Sequence, residues 1–422
     1  MNRTKEIWVS GLALFSMFFG AGNLILPPLL GFKALDQWFI VAIGFAITAV
    51  IIPIMAIYAH ARLQGTLYDF GKKVSPVFSV IYCVLIYIIA IALPAPRTAS
   101  VTHEMAIAPF FESSTLLTSA IYFALVLVFT LNRSKVLSIL GKFLTPLIVI
   151  ILLLIIGIGV SADVPALANG SSEAPLVDGI LEGYQTFDAI GGVVVGAVLI
   201  ISLNLRGHTT FEAKKELITK SGLVAGGGLF IIYAGLILVG ALFSDVFEAD
   251  IERTALLSGL SLKTLGHIGT TFLSVLVALA CFTTAVGVIT GTADYFKGLF
   301  NESQLAYNLT AIIGCVTGVI VGSYNVEFII KVAVPALMFI YPITIVLIVL
   351  NILPKHMAKP LIFRAVVLVT MLFSITDFLG SLGLGEQIQP VVEMIPLAQY
   401  SLGWVLPALL TFIIVALVQP KE

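Results

Sequence analysis

The chain has 422 residues, of which 59% are hydrophobic and 11% are charged, and its mean hydropathy is +1.11. No soluble domain of this size can hide so much apolar surface, so the composition predicts a polytopic membrane protein. The net charge of −1 identifies no partner, because the position of the charges matters more than their sum. We expect contact with a lipid bilayer and no nucleic-acid partner.

The first apolar stretch, residues 7–30, is long enough to cross a bilayer but is interrupted by GAGN at residues 20–23. Glycine costs about 1 kcal/mol relative to alanine inside a helix, and asparagine prefers caps and turns. Since lipid cannot satisfy the backbone of a broken helix, the break indicates a solute site near the membrane midplane. A glycine-rich packing contact between helices is the alternative. The stretch is too long for a signal peptide, which favours a retained first helix.

Twelve apolar segments of about 20 residues or more follow one another along the chain, and we number them span 1 to span 12. Their approximate limits are residues 7–30, 38–59, 75–107, 114–132, 139–161, 178–205, 220–244, 263–299, 305–323, 326–353, 361–381 and 398–418. Spans 3 and 8 are unusually long. Span 6 is the second interrupted one, because residues 182–192 mix glycines, polar residues and an acid.

The basic residues test this topology independently. With the N-terminus inside, 17 of the 22 lysines and arginines fall in cytoplasmic segments and four on the opposite side, while Lys331 lies within a span. The positive-inside rule therefore predicts that both termini lie in the cytoplasm.

Spans 1 and 6 are both broken but run in opposite directions, and spans 3 and 8 are both long. Five spans followed by five of opposite orientation are typical of an inverted repeat, whose paired broken helices form the binding site of a transporter. We therefore predict an all-α, single transmembrane domain. Its parts would be inverted repeat 1 at about 7–161, inverted repeat 2 at about 178–353, and two appended helices at about 361–418.

Three motifs carry a family resemblance. The run FFGAGNLILPP at residues 18–28, the run ALPAPRTASV at 92–101 and the run GYQTFDA at 183–189 resemble spans 1, 3 and 6 of the branched-chain amino acid:cation symporters of the BrnQ type. One departure is the extra Ala-Pro step before Arg97. The resemblance implies a LeuT-type fold and the uptake of leucine, isoleucine and valine across a bacterial inner membrane by alternating access.

An amino acid offers a carboxylate, an ammonium group and a side chain. Backbone N–H groups where span 1 resumes suit the carboxylate, while carbonyls before the break and acceptors in span 6 suit the ammonium group. Phenylalanines at the breaks suit an aliphatic side chain. The candidate substrate-binding residues are Phe18, Gly20, Ala21, Gly22, Asn23, Tyr184, Gln185, Thr186, Phe187 and Asp188.

The coupling ion is expected to be Na⁺. The resemblance implies that the adjacent hydroxyls of Thr283 and Thr284 in span 8 bind Na⁺ together with carbonyls near Ser16 and Phe19. The alternative is that both hydroxyls bond back to carbonyls of their own helix. Span 5 has no ionisable residue at its middle, where proton-coupled relatives often have a lysine, so sodium is favoured over protons.

Two charged residues at membrane depth keep alternative roles. Asp188 could receive a proton, contact the substrate ammonium group, or cap the second half of span 6. Arg97 could act as a gate by pairing with an acid, or lie at the interface with its charged head in water.

The sequence predicts no enzyme and no cofactor. A phosphate-binding Gly-x-x-x-x-Gly-Lys motif is absent from the sequence, which argues against ATP-driven transport, and the five histidines and three cysteines have no metal or disulfide spacing. Three classes remain: a symporter for aliphatic amino acids, which is favoured, an uncoupled exchanger of the same fold, and a channel or receptor. A homo-oligomer formed through spans 11 and 12 is left open.

Overall fold

The structure is a computed structural model that describes residues 3–132, 136–205, 210–354 and 357–418. Its α-helices, in chain order, are α1 (Arg3–Phe18), α2 (Ala21–Leu24), α3 (Leu26–Ala34), α4 (Trp38–Ala46), α5 (Ile52–Leu63), α6 (Leu67–Gly71), α7 (Pro76–Ala92), α8 (Pro94–Thr102), α9 (Thr115–Asn132), α10 (Val136–Val160), α11 (Pro175–Tyr184), α12 (Asp188–Leu205), α13 (Phe211–Leu242), α14 (Arg253–Leu299), α15 (Gln304–Val321), α16 (Val326–Ile352), α17 (Pro360–Leu379), α18 (Gly385–Val392) and α19 (Val405–Val418). The described residues contain no strand, which agrees with the predicted all-α class.

Span 1 is broken where its sequence is poorest in helix formers. α1 ends at Phe18, Gly20 takes an extended conformation with φ −91° and ψ 147°, and the short α2 follows. Ile25 separates α2 from α3, whose first turn contains the two prolines at positions 27 and 28. Proline fits a first helical turn because the N–H that it lacks has no intrahelical partner there. Local propensity therefore accounts for the predicted break.

Span 6 is broken between α11 and α12. Gln185, Thr186 and Phe187 form a tight turn in which each backbone N–H donates to the carbonyl three residues earlier. Phe187 has φ +60°, a left-handed conformation that is strained for a bulky side chain and recurs at functional sites. Asp188 then opens α12. Both predicted interruptions are thus true breaks of helical geometry.

The two broken spans pack in matching ways. α1 and α3 lie against α13, and α11 and α12 lie against α4 and α5. Backbones touch at the centre of each contact: a Cβ on Gly31 would lie 1.7 Å from the Ile237 carbonyl oxygen, and one on Gly179 would lie 2.1 Å from that of Val41. Neither position can hold a larger residue without moving a helix.

A second layer surrounds this bundle. α8 and α9 pack against α14 and α15, and α10 lies between α13 and α14. α14 is bent at Gly266, whose φ of +66° only glycine adopts without strain, so the long span 8 is preceded by a separate helical segment that begins at Arg253. α7 gives way to α8 at Leu93, directly before the prolines at 94 and 96. Many outward apolar side chains are exposed, as suits contact with lipid.

Within the described residues, nine helical stretches are long and apolar enough to cross a membrane. They are Leu26–Leu63, Pro76–Ile107, Thr115–Asn132, Phe143–Val160, Lys214–Leu242, Arg253–Leu299, Gln304–Val321, Val326–Ile352 and Pro360–Val392. Spans 1, 6 and 12 are not separate members of this set; α1 has 16 residues and α19 has 14, which is short for a bilayer crossing. The number of crossings and the inverted repeat stay predictions.

Candidate functional site

The candidate site lies where the two helix breaks meet. Asn23 in α2 is 4% exposed, and Asp188 at the start of α12 is 8% exposed. The side-chain nitrogen of Asn23 donates to both carboxylate oxygens of Asp188, at 2.9 and 2.8 Å. A buried carboxylate is costly without such donors, so this contact joins the two halves of the chain at one polar point.

Asn23 has further partners around this point. Its side-chain nitrogen lies 3.1 Å from the carbonyl oxygen of Phe18 and 3.4 Å from the hydroxyl of Tyr233 in α13. Its backbone N–H donates to the carbonyl of Gly20 at 3.0 Å. The expectation of a free backbone N–H at Asn23 is therefore wrong, because the chain turns tightly as α2 begins. Ala21 and Gly22 are the two residues enclosed by that turn.

Asp188 does not have the geometry of a capping aspartate. It is the first residue of α12, and its backbone N–H donates to the Thr186 hydroxyl at 3.2 Å. The described hydrogen bonds to its carboxylate come from Asn23 in the other break, whereas a capping side chain accepts from the N–H groups of its own helix. Its acidic group is therefore directed at the site.

Arg97 approaches the same site from α8. Only 4% of it is exposed, and its Nη1 donates to the carbonyl oxygen of Gln185 at 2.8 Å. Its guanidinium carbon lies 5.3 Å from the centre of the Phe187 ring, within cation–π range. The alternative in which the charged head of Arg97 lies in water is therefore wrong for this structure. A buried cation and a buried carboxylate flank one turn of backbone.

Aromatic rings enclose the break of span 1. Phe18, Phe19 and Phe187 are all at most 7% exposed, and Phe19 stacks on Phe15 with 4.8 Å between ring centres. A Cβ added to Gly20 would meet nothing within 4 Å. Open space beside a broken helix, bounded by apolar rings, is suited to a small aliphatic group.

The turn of span 6 contributes an unpaired polar atom. Gln185 is buried, and its Oε1 has no hydrogen-bond partner among the described residues. The ring of the buried Tyr184 stacks on that of Tyr341 at 4.3 Å, and its hydroxyl lies near Trp404 and Asp377. Thr186 is also buried, and its hydroxyl donates to the carbonyl of Gly183 at 2.8 Å. Buried acceptors without donors are uncommon in folded proteins and are suited to a ligand.

The predicted sodium ligands show local hydrogen bonding. The hydroxyls of Thr283 and Thr284 both donate to the carbonyl of Ala280, at 2.9 Å each, which is the alternative that the sequence left open. Donation of the proton still leaves each oxygen with lone pairs for a cation. Ser16 lies elsewhere on α1, with its hydroxyl 2.9 Å from that of Thr145 in α10. Phe19 directly precedes the extended Gly20.

Sequence reasoning missed three residues around this site. Tyr233 and Tyr341 contact the breaks from α13 and α16, and Arg253 at the start of α14 forms ion pairs with Glu182 of α11 and Glu327 of α16. The two tyrosines are fully buried. The only local indication in the sequence was that each tyrosine places a hydroxyl in the middle of a long apolar helix.

The broken helices and their packing define a class of membrane transport protein, and solved structures share this fold. The chain resembles an outward-open, Na⁺-coupled sialic acid symporter with a TM-score of 0.59 at 14% identity, over 99% of this chain and 90% of that one. It also resembles the inward-facing form of Mhp1 with a TM-score of 0.61 at 13% identity, over 98% and 92% of the two chains. These likenesses support the LeuT-type fold.

Sequence comparison then gives the family. The family model described as "Branched-chain amino acid transport protein" matches residues 3–422, so the chain belongs to that family. It is 31% identical to the branched-chain amino acid transport system 2 carrier protein of Pseudomonas aeruginosa, over 97% of this chain and 95% of the relative. It is 32% identical to the branched-chain amino acid permease BraB of Bacillus subtilis, over 97% and 94%. The chain is a multi-pass bacterial membrane transporter and not an enzyme.

Proposed function

We propose that the chain is a secondary active symporter that imports leucine, isoleucine and valine with Na⁺ by alternating access. The contact between Asn23 and Asp188 carries this proposal, because it joins the breaks of two helices at a buried polar point. Broken helices at membrane depth are tolerated where they bind a solute.

The charges around the breaks suit a zwitterion. Arg97 supplies a buried cation for the substrate carboxylate. Asp188 supplies an acceptor for the ammonium group, and so does the Oε1 of Gln185, which has no hydrogen-bond partner among the residues that the structure describes. The space beside Gly20, bounded by Phe18, would take the branched side chain.

The packing of the broken spans supports an inverted repeat. Span 1 packs on span 7, and span 6 packs on span 2, which are the contacts that a twofold axis in the membrane plane would exchange. In this proposal a bundle of spans 1, 2, 6 and 7 rocks against spans 3, 4, 8 and 9. Both termini would lie in the cytoplasm, as the basic residues predict.

Sodium coupling rests on Thr283 and Thr284, whose oxygens keep lone pairs, and on the sodium-coupled neighbour of the same fold. Proton coupling is the second candidate, since Asp188 is a buried carboxylate at the point where both breaks meet. The two candidates differ in which gradient drives accumulation.

Uptake of radiolabelled leucine into proteoliposomes tests the proposal, with an inward sodium gradient or an inward proton gradient imposed separately. Accumulation with sodium alone supports the sodium symporter. Accumulation with protons alone moves the coupling role to Asp188. Brisk exchange against preloaded leucine without accumulation under either gradient would make the protein an uncoupled exchanger and contradict the proposal.

A further inference from the structure

A cavity whose lining includes none of the residues of the helix breaks lies between α16, α17 and the segment that leads to α19. Its volume is about 410 Å³, within the roughly 300–1,000 Å³ of small-molecule sites. Three turns of the connecting segment give it its shape, because Gly383, Leu397 and Ser401 all have positive φ. Arg364 lies near the start of α17, at the end that the positive-inside rule places in the cytoplasm. The cavity lies at the other end of α17, which the same rule places on the outer side.

One acid dominates this cavity. Asp377 lines it from the last turn of α17, and only 6% of the residue is exposed. Its Oδ2 is buried and has no hydrogen-bond partner in the described part of the chain. A carboxylate in this position is costly unless a cation or donor joins it. Since Oδ2 itself has almost no accessible surface, a group in the cavity would meet the small exposed part of the Asp377 side chain, beside Oδ2.

The rest of the lining combines polar and apolar side chains. Val334 and Met338 of α16 form an apolar wall, and Thr376, Ser381 and Gln399 supply oxygen and amide groups. None of the described residues that line the cavity is basic. The site can therefore neutralise an ammonium group and cover an alkyl chain, but it has no charge for a carboxylate. A bare metal ion would leave the apolar wall and most of the volume unused.

We infer that this cavity is a second, outward-facing binding site for small aliphatic primary ammonium ions, with the ammonium group on Asp377 and the alkyl group on Met338. Leucine is one such ligand, and naming it rests on the proposed function. The cavity also adjoins the central site, since Met338 lies one helical turn from Tyr341, which stacks on Tyr184. A ligand held there would contact the helix that supports span 6.

Protection of an introduced thiol tests this inference. Ser381→Cys lines the cavity, and Gln387→Cys is an exposed control on the same segment that does not. The three native cysteines are buried, so the wild-type protein sets a low background. The full chain in nanodiscs is treated with a thiosulfonate reagent while 3-methylbutylamine, leucine or 4-methylpentanoate is added. All three ligands have a branched alkyl chain. 3-Methylbutylamine has only the ammonium group, 4-methylpentanoate has only the carboxylate, and leucine has both.

We expect 3-methylbutylamine and leucine to slow modification of Ser381→Cys, and 4-methylpentanoate to have no effect. Asp377→Asn should weaken this protection about tenfold, because the charge-assisted hydrogen bond is lost, and Asp377→Glu should keep much of it. Gln387→Cys should react at one rate throughout. Gly20→Trp, which fills the space at the helix break, should leave protection by the amine intact.

Several results would overturn the inference. The inference fails if the amine gives no protection at any soluble concentration, or if its protection survives Asp377→Asn or disappears with Gly20→Trp. Protection by NaCl alone would also overturn it, because that result would mean an inorganic cation site. Leucine uptake by the same Ser381→Cys protein is read separately. If Ser381→Cys shows protection by the amine but neither it nor the wild type takes up leucine, only the proposed function is contradicted. If Ser381→Cys takes up leucine normally but the amine does not protect it, only this inference is contradicted.

Discussion

The side-chain amide of Asn23 and the carboxylate of Asp188 are 165 residues apart in the chain and in direct contact in the structure, at 2.9 and 2.8 Å. Asn23 belongs to the first broken helix and Asp188 to the second. Any movement of one break relative to the other must preserve or exchange these hydrogen bonds. A substrate that supplies an ammonium group could take the place of the amide on one oxygen.

Replacement of Asp188 should therefore be severe. A hydrogen bond to a charged group contributes about 1.5–3 kcal/mol, so we expect Asp188→Asn to lower the kcat/KM of leucine uptake by about 10- to 100-fold. Asn23→Ala should cause a loss of similar size. Because both variants remove one contact, the double variant should cost little more than either single variant. Uptake rates in proteoliposomes with matched protein amounts measure this cycle, and additive losses would show that the two residues act separately.

Two glycines should respond in opposite ways to added volume. A Cβ on Gly20 meets open space, so Gly20→Ala should keep uptake while Gly20→Trp should abolish it with normal membrane insertion. A Cβ on Gly179 would lie 2.1 Å from the Val41 carbonyl oxygen, so Gly179→Ala should lower the yield of folded protein. Size-exclusion profiles and leucine uptake separate the two effects. Normal transport by Gly20→Trp would mean that the break is only a packing device.

The breaks could be predicted from the sequence because they depend on local propensity. Gly20, Thr186 and Phe187 form helices less readily than alanine or leucine, and the structure is non-helical there. The opposite directions of the broken spans 1 and 6 could also be predicted, from the order of the spans along the chain. The contact between Asn23 and Asp188 could not be predicted, since it depends on how two distant helices pack.

The contacts of Arg97, the bend of α14 and the cavity at Asp377 could not be predicted from the sequence. Arg97 could be recognised as unusual, but its burial against Phe187 depends on the bend at Leu93. Gly266 is one of 36 glycines, and only its φ identifies it as the bend of α14. Asp377 was read as part of an apolar span, because its cavity is formed by a segment that follows it in the chain.

The sodium hypothesis predicts a specific change in ion dependence. Thr284→Ala should raise the sodium concentration for half-maximal leucine uptake, because one oxygen ligand is lost. Thr292→Ala is a matched control on the same helix, since each hydroxyl donates to the carbonyl four residues earlier at 2.9 Å. It removes the same kind of bond. Equal sodium dependence in both variants would remove Thr284 from the ion site.

Arg97 should be sensitive to shape as well as charge. Its guanidinium donates to the Gln185 carbonyl and lies over the Phe187 ring, and lysine cannot reproduce both contacts. We expect Arg97→Lys to raise the KM for leucine about tenfold, and Arg97→Gln, which keeps a donor without the charge, to be worse. Uptake at varied leucine concentration measures both. A normal KM for Arg97→Lys would show that only the charge matters.

Arg253 should hold together the ends of the three helices α11, α14 and α16. Its guanidinium lies 3.0 Å from Glu182 of α11 and also pairs with Glu327 of α16. Arg253→Glu would bring three acids together, so we expect it to separate α11 from α16 and to lower leucine uptake. The double variant Arg253→Glu with Glu182→Arg restores one arginine–carboxylate pair between positions 182 and 253, while the new glutamate at position 253 still lies beside Glu327. It should recover part of the uptake, and recovery should weaken as salt screens the half-buried pairs. If the double variant transports no better than Arg253→Glu alone, these ion pairs do not hold α11, α14 and α16 together.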